Sequence, residues 1–165
     1  MHLPLESRTA SEHLGSLLRA RRLSLSLAES CTGGLVGDLI TDAPGSSDYF
    51  LGGVTAYSNG AKQDLLGVQA ETLLRFGAVS AQCAAEMAQG ARRLFKTDLA
   101  VSVTGIAGPG GGSEEKPVGL TYLHLSAPDA EIGLREVWNG DRRANKESAA
   151  LAALRLLATY LQEAG

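Results

Sequence analysis

Three times in this sequence an apolar stretch of strand length ends on a polar side chain and then turns. Leu25-Ser26-Leu27-Ala28 alternates like a short strand and runs into Glu29-Ser30-Cys31-Thr32-Gly33-Gly34. A second strand is expected from Val54 to Ser58, carrying Tyr57 and followed by Asn59, and a third from Leu99 to Val103, ending at Thr104-Gly105. Open α/β sheets bind ligands in the crevice outside the carboxyl ends of their parallel strands. If these three strands are parallel, Ser30, Tyr57 and Thr104 face one pocket.

The segments between them carry helical spacing. Leu14, Leu17 and Leu18 form one apolar stripe, and Leu35, Val36, Leu39 and Ile40 form another, which Pro44-Gly45 breaks. A short helix passes through Lys62, Leu65 and Leu66. Ser80 is placed to cap a helix from Ala81 towards Leu94, with Ala84, Met87, Ala88 and Ala91 on one side. Val118 to Leu125 and Ile132 to Trp138 read as an antiparallel pair across Pro128-Asp129. Asp141 then caps a last helix with Leu151, Leu154, Leu157 and Leu161 as its stripe. Helices alternating with strands, followed by two strands together, predict a three-layer α/β/α sandwich on a mixed, mainly parallel sheet. The length of 165 residues fits one domain over 1–165.

Composition narrows the partners. The net charge is −3 and no dense Lys/Arg run occurs, so the electrostatic footprint of a nucleic-acid binder is missing. No apolar run approaches membrane-spanning length, and the amino terminus lacks the pattern of a secretory signal, so a cytoplasmic protein is expected. Cys31 and Cys83 form no CxxC pair. His2, His13 and His124 lie at no metal-ligand spacing with cysteines or carboxylates, so a His-ligated zinc site would be hard to assemble; no cofactor is expected. Isolated basic residues are still able to meet a small anionic ligand.

Several residues offer chemistry, each beside a plainer reading. Ser30 precedes Thr32-Gly33-Gly34, where small residues let backbone N–H groups approach a phosphate or an oxyanion. It is equally readable as a capping serine beside a tight turn. Cys31 is the better intrinsic nucleophile, but no histidine lies near it in sequence, and a free cysteine is commonly a small buried hydrophobe. Lys62 falls near a helix amino terminus, where burial and the helix dipole both favour the neutral amine. Tyr57 would bridge Ser30 and Lys62 by hydrogen bonding; the alternative is a core tyrosine beside an exposed lysine. The run Gly105 to Gly112 fits no phosphate-loop spacing, and Glu114, Glu115 and Lys116 read as a solvated tip. Arg142 and Arg143 open the last helix, where an anionic ligand or nearby carboxylates would offset their charge. Strand alternation points Glu29 away from Ser30, leaving it a supporting residue.

Together the motifs carry a resemblance. AESCTGG (28–34), TDAPGSS (41–47), TAYSNGAK (55–62), GAVS (77–80), TGIAGPGGGSEEKPVG (104–119) and GDR (140–142) occur in that order. This set resembles the CinA carboxyl-terminal domain family, whose stand-alone members include nicotinamide mononucleotide deamidases. The resemblance runs from about Ala10 to the last helix. It implies hydrolysis of the nicotinamide mononucleotide carboxamide by a homodimer or higher oligomer. Ser30 would be the nucleophile, Lys62 its base and Tyr57 the hydrogen-bonded partner, with Thr104 lining the pocket. Backbone groups of Cys31, Thr32, Gly33 and Gly34, together with Asn59, Gly105, Gly108 and Arg142, would hold the substrate. Longer family members carry an additional amino-terminal domain, for which this chain begins too close to Ala10, so only the carboxyl-terminal activity is implied. Two other readings stay open: a non-catalytic nucleotide-binding module linked to competence or DNA damage, and an amidase acting through Cys31.

Overall fold

A computed structural model describes residues 5–163 of the chain; His2 lies outside them. Helix α1 (Leu5–Arg21) leads into β1 (Leu25–Glu29) and α2 (Leu35–Thr41). A short 3-10 turn precedes β2 (Phe50–Thr55), which is followed by α3 (Asn59–Leu66), α4 (Ala70–Phe76) and α5 (Ala81–Phe95). Then come β3 (Leu99–Gly105), the hairpin β4 (Leu120–Ser126) and β5 (Glu131–Val137), and α6 (Arg142–Glu163).

The five strands form one sheet in the order β2-β1-β3-β4-β5. β1 pairs in parallel with both β2 and β3, whereas β4 is antiparallel to β3 and β5. Four strands therefore run one way and β4 alone runs back. Helices α1, α2 and α6 pack on one face, and α5, backed by α3 and α4, on the other. This is the expected three-layer α/β/α sandwich with a mixed sheet.

Strand alternation divides the interior. Leu25, Leu27, Leu99, Val101, Val103, Leu123 and Leu125 point into the larger core under α1, α2 and α6. Ala28 and Ala100 face the smaller core under α5, with Cys83, Met87 and Ala91. The small strand residues bring α5 close to the sheet, and the buried Ser102 hydroxyl donates to the Ala84 carbonyl at 2.5 Å. Helix α3 sits equally close to α5, because a Cβ on Gly90 would lie 2.0 Å from the Leu66 carbonyl oxygen.

Three local expectations need correction. The second strand spans Phe50–Thr55 rather than Val54 to Ser58, so Tyr57 lies beyond it in the turn before α3. Its glycines have packing reasons: Gly52, at φ +149°, lies under the Phe95 ring, and a Cβ on Gly53 would come within 3.0 Å of Leu27 Cβ. Helix α4 has no counterpart in the sequence reading. On α6, Leu151 is only partly buried, and Ala149, Ala150 and Ala153 join Leu154, Leu157 and Leu161 in the core.

Candidate active site

The order β2-β1-β3 makes β1 the point from which the chain steps outward and then crosses back. The β1-to-β2 crossover uses α2 on one face, and the β2-to-β3 crossover uses α3 to α5 on the other. Such a switch point leaves a crevice at the carboxyl ends of the strands. Ser30 follows β1 and Thr104 sits at the end of β3, so both border it.

Ser30 is fixed by the ends of the sheet. Its N–H donates to the Val103 carbonyl at 2.9 Å, and its own carbonyl accepts from Gly33 N–H at 3.0 Å. The turn needs left-handed backbone at Gly33 (φ +63°) and Gly34 (φ +97°), which glycine adopts without a Cβ penalty. Gly34, the residue before α2, offers no side-chain cap. Glu29 supplies one from across the turn. Its carboxylate is only 3% exposed and accepts from the Thr32 hydroxyl (2.6 Å) and from the amides of Gly34 (3.1 Å), Val36 (3.1 Å) and Gly37 (2.9 Å). The helix amino terminus beside Ser30 is thus already occupied by an internal anion. With Gly33 and Gly34 engaged, the amides of Cys31 and Thr32 stay outside this internal bracing.

Lys62 approaches from the other side. The Ser58 side chain caps α3 by accepting from Ala61 N–H at 3.1 Å, and this directs Lys62 in the first turn back towards the sheet. Lys62 is 1% exposed. Its Nζ lies 3.1 Å from Ser30 Oγ, 2.9 Å from the Ala56 carbonyl and 3.2 Å from the Tyr57 carbonyl. No carboxylate pairs with it among the ion pairs of the described residues. Burial holds the amine below the ordinary lysine range, with the Cys83 and Cys31 thiols acting more weakly in the opposite sense. Burial also pushes the Cys31 thiol up to about 11, so Cys31 holds its proton at neutral pH.

Ser30, Cys31, Tyr57, Lys62, Thr104 and Arg142 line one cavity of about 280 Å³, with Ala78, Val79 and the loop from Gly105 to Gly111 completing its wall. The Thr104 hydroxyl donates to the Ala78 carbonyl at 2.8 Å, tying β3 to the loop before α5. Gly105 and Gly108 lie in the wall; Thr32, Gly33, Gly34 and Asn59 do not. Thr32 is buried against Glu29, and Asn59 is exposed on α3.

Tyr57 departs from the expected bridge. Its backbone carbonyl, not its hydroxyl, meets Lys62; the hydroxyl accepts from Arg142 Nη2 at 3.2 Å. Arg142 also donates to the Gly108 carbonyl at 2.6 Å. The two arginines that open α6 separate in role: Arg143 pairs with Glu147 at 2.5 Å, whereas among the described residues Arg142 meets only neutral oxygens. Asp141 caps the helix by accepting from Ala144 N–H at 2.8 Å. Glu114 and Glu115 are exposed as expected of a solvated tip, whereas the half-buried Lys116 is tied down by its Nζ, which donates to the Phe76 carbonyl at the end of α4. Sequence reasoning missed Glu29 as the α2 cap and the Ala56 carbonyl as a lysine acceptor. The first had a signal, a strand-terminal carboxylate ahead of an uncapped helix; the second, a backbone group, had none.

Comparison with known proteins agrees with this architecture. A family model described as the CinA C-terminal domain matches residues 7–161. A CinA-like protein of Chloroherpeton thalassium is 48% identical over 164 residues, covering 96% of this chain and 38% of its own length. A CinA-like protein of Thermotoga maritima is 44% identical over 146 residues, covering 88% of this chain and 36% of its own length. This chain thus spans little more than a third of the curated relatives it matches. The crystal structure of competence/damage inducible protein CihA from Agrobacterium tumefaciens superposes with a TM-score of 0.94 at 40% identity, over 98% of this chain and 99% of that one. A CinA superfamily protein from Escherichia coli follows at 0.90 and 29% identity, over 96% of this chain and 94% of that one. The chain belongs to the CinA C-terminal domain family.

Proposed function

We propose that this chain hydrolyses the carboxamide of nicotinamide mononucleotide to nicotinic acid mononucleotide and ammonia, through an acyl-enzyme on Ser30. The observation that carries this reading is the setting of Lys62. A neutral amine has two N–H groups and one lone pair; the Ala56 and Tyr57 carbonyls take the first two, and Ser30 Oγ stands at 3.1 Å for the third. The substrate follows from the likeness of the motifs to the deamidases of this family.

In the acylation step Lys62 takes the Ser30 proton as Oγ bonds to the carboxamide carbon, and the carbonyl electron pair moves onto oxygen. The amide of Cys31, which lines the cavity beside Ser30, is the loop donor we assign to that oxyanion. When the intermediate collapses, the C–N bond breaks and Lys62 returns its proton to the departing nitrogen, releasing ammonia. Water then attacks the ester and gives a proton to Lys62, which passes it back to Ser30 Oγ as the acid leaves. Arg142, with no carboxylate on its guanidinium, suits the phosphate end.

The test is ammonia release from nicotinamide mononucleotide by the wild type, Ser30→Ala and Lys62→Met. Release by the wild type that falls about a thousandfold or more in both variants is the expected result. A folded wild type that binds the nucleotide but releases no ammonia would instead favour the regulatory module.

A further inference from the structure

Tyr57 is the residue whose observed surroundings least fit a proton-relay role. Its side chain is 61% exposed and belongs to neither core cluster, yet it lines the cavity beside Ser30 and Lys62. Its hydroxyl accepts from Arg142 and, among the described residues, makes no hydrogen bond to Ser30 or Lys62. The residue therefore spans the mouth of the cavity. Its carbonyl lies at the lysine end, and its hydroxyl lies at the arginine end, where Arg142 is also held by the Gly108 carbonyl.

An exposed aromatic ring in a cavity wall is a surface on which a ligand can rest, as ligand pockets are commonly lined by aromatic side chains. The substrate proposed above has a matching part, because N-ribosylation makes its pyridine ring a cation. A cationic aromatic ring is attracted to the negative face of a tyrosine. We propose that Tyr57 binds and orients the substrate: its ring supports the pyridinium, and its hydroxyl holds Arg142 towards the phosphate. The inference rests on the carboxamide-hydrolase reading. The proton path then runs between Ser30 and Lys62 alone. Selectivity follows too, since a neutral dihydropyridine mononucleotide loses the charge that the ring recognises.

Steady-state kinetics on nicotinamide mononucleotide test this with Tyr57→Phe, Tyr57→Ala, Arg142→Ala and the Tyr57→Phe/Arg142→Ala double variant. Tyr57→Phe keeps the ring and loses one hydrogen bond to Arg142, so KM rises about three- to tenfold while kcat stays within about twofold. That increase disappears in the Arg142→Ala background, because the hydroxyl acts through the arginine. Tyr57→Ala loses the ring as well and raises KM about tenfold beyond Tyr57→Phe. Tyr57→Ala also narrows the difference in KM between the oxidised and the reduced mononucleotide.

A tenfold or larger loss of kcat in Tyr57→Phe with KM unchanged would return Tyr57 to the proton path and overturn the assignment. So would a Tyr57→Ala variant with wild-type KM, or a Tyr57→Phe penalty that persists without Arg142. These results leave the hydrolase reading intact. Failure of the wild type to release ammonia removes that reading, and the assignment of Tyr57 falls with it.

Discussion

At the scale of single residues, the site depends on where a proton sits on Lys62. An exposed lysine is a poor base at neutral pH because it is already protonated. Burial raises the cost of the ammonium form here, and the nearest oxygens are neutral carbonyls and a hydroxyl rather than a carboxylate. Since the base is competent only when deprotonated, kcat/KM is expected to rise with pH through a single ionisation below the ordinary lysine range, then level off. A pH–rate profile of ammonia release measures this; a flat or falling profile across that range would remove Lys62 as the base. Lys62→Arg gives no activity on either side of the ionisation, because a guanidinium keeps its proton. The Ser30 and Lys62 assignments came from the motifs, whereas the direction of the Tyr57 side chain did not. Its hydroxyl is placed by Arg142, 85 positions away along the chain, and no local spacing encodes such a contact.

At the scale of elements, the position of Lys62 is set by how α3 lies against α5. Gly90 allows that approach, since an added Cβ would stand 2.0 Å from the Leu66 oxygen and 2.7 Å from its carbonyl carbon. Those are backbone atoms that cannot rotate aside. Gly90→Ala is therefore expected to cost about 1–3 kcal/mol of stability through overpacking, despite the better helix propensity of alanine. It should also lower kcat, because α3 must shift and carries the lysine with it. Urea unfolding and ammonia release on the same protein check both, and a variant as stable and active as the wild type would refute the close-packing account. Elements with a strong period were legible in the sequence: β1, α2, α5, the β4–β5 hairpin and α6 all fall near their expected places. β2 was misplaced because Gly52 and Gly53, which its packing requires, weaken strand propensity. α4 escaped notice because it is short and shows no clear stripe, with Leu74 at 86% exposure.

For the whole molecule, chemistry and anchoring sit at opposite ends of the same strands. The layered class was legible from the order of helices and strands, but the strand order was not, because local patterning does not say which strands become neighbours. That order places Ser30 and Thr104 at the carboxyl ends of β1 and β3. The amino ends of the same strands are clasped by Asp98, which accepts from both the amide and the hydroxyl of Ser24 at 2.7 Å and donates its own amide back to that hydroxyl at 2.9 Å. The hydrogen bonds from the Ser24 backbone and side chain hold the Asp98 carboxyl below its ordinary range. A carboxylate depressed in the folded state adds stability above its unfolded pKa of about 3.9, and that stability is lost as pH falls through the folded value. Asp98→Asn should therefore lower the urea midpoint at pH 7 and unfold with a weaker pH dependence in acid. The gap from the wild type then narrows as the wild-type carboxylate is protonated. Because the clasp lies a full strand length from Ser30, kcat of the folded enzyme at neutral pH should hardly change. A gap that stays constant from pH 7 down to about 2.5 would mean that Asp98 acts through shape alone; a large fall in kcat would show that the two ends of the sheet are mechanically coupled.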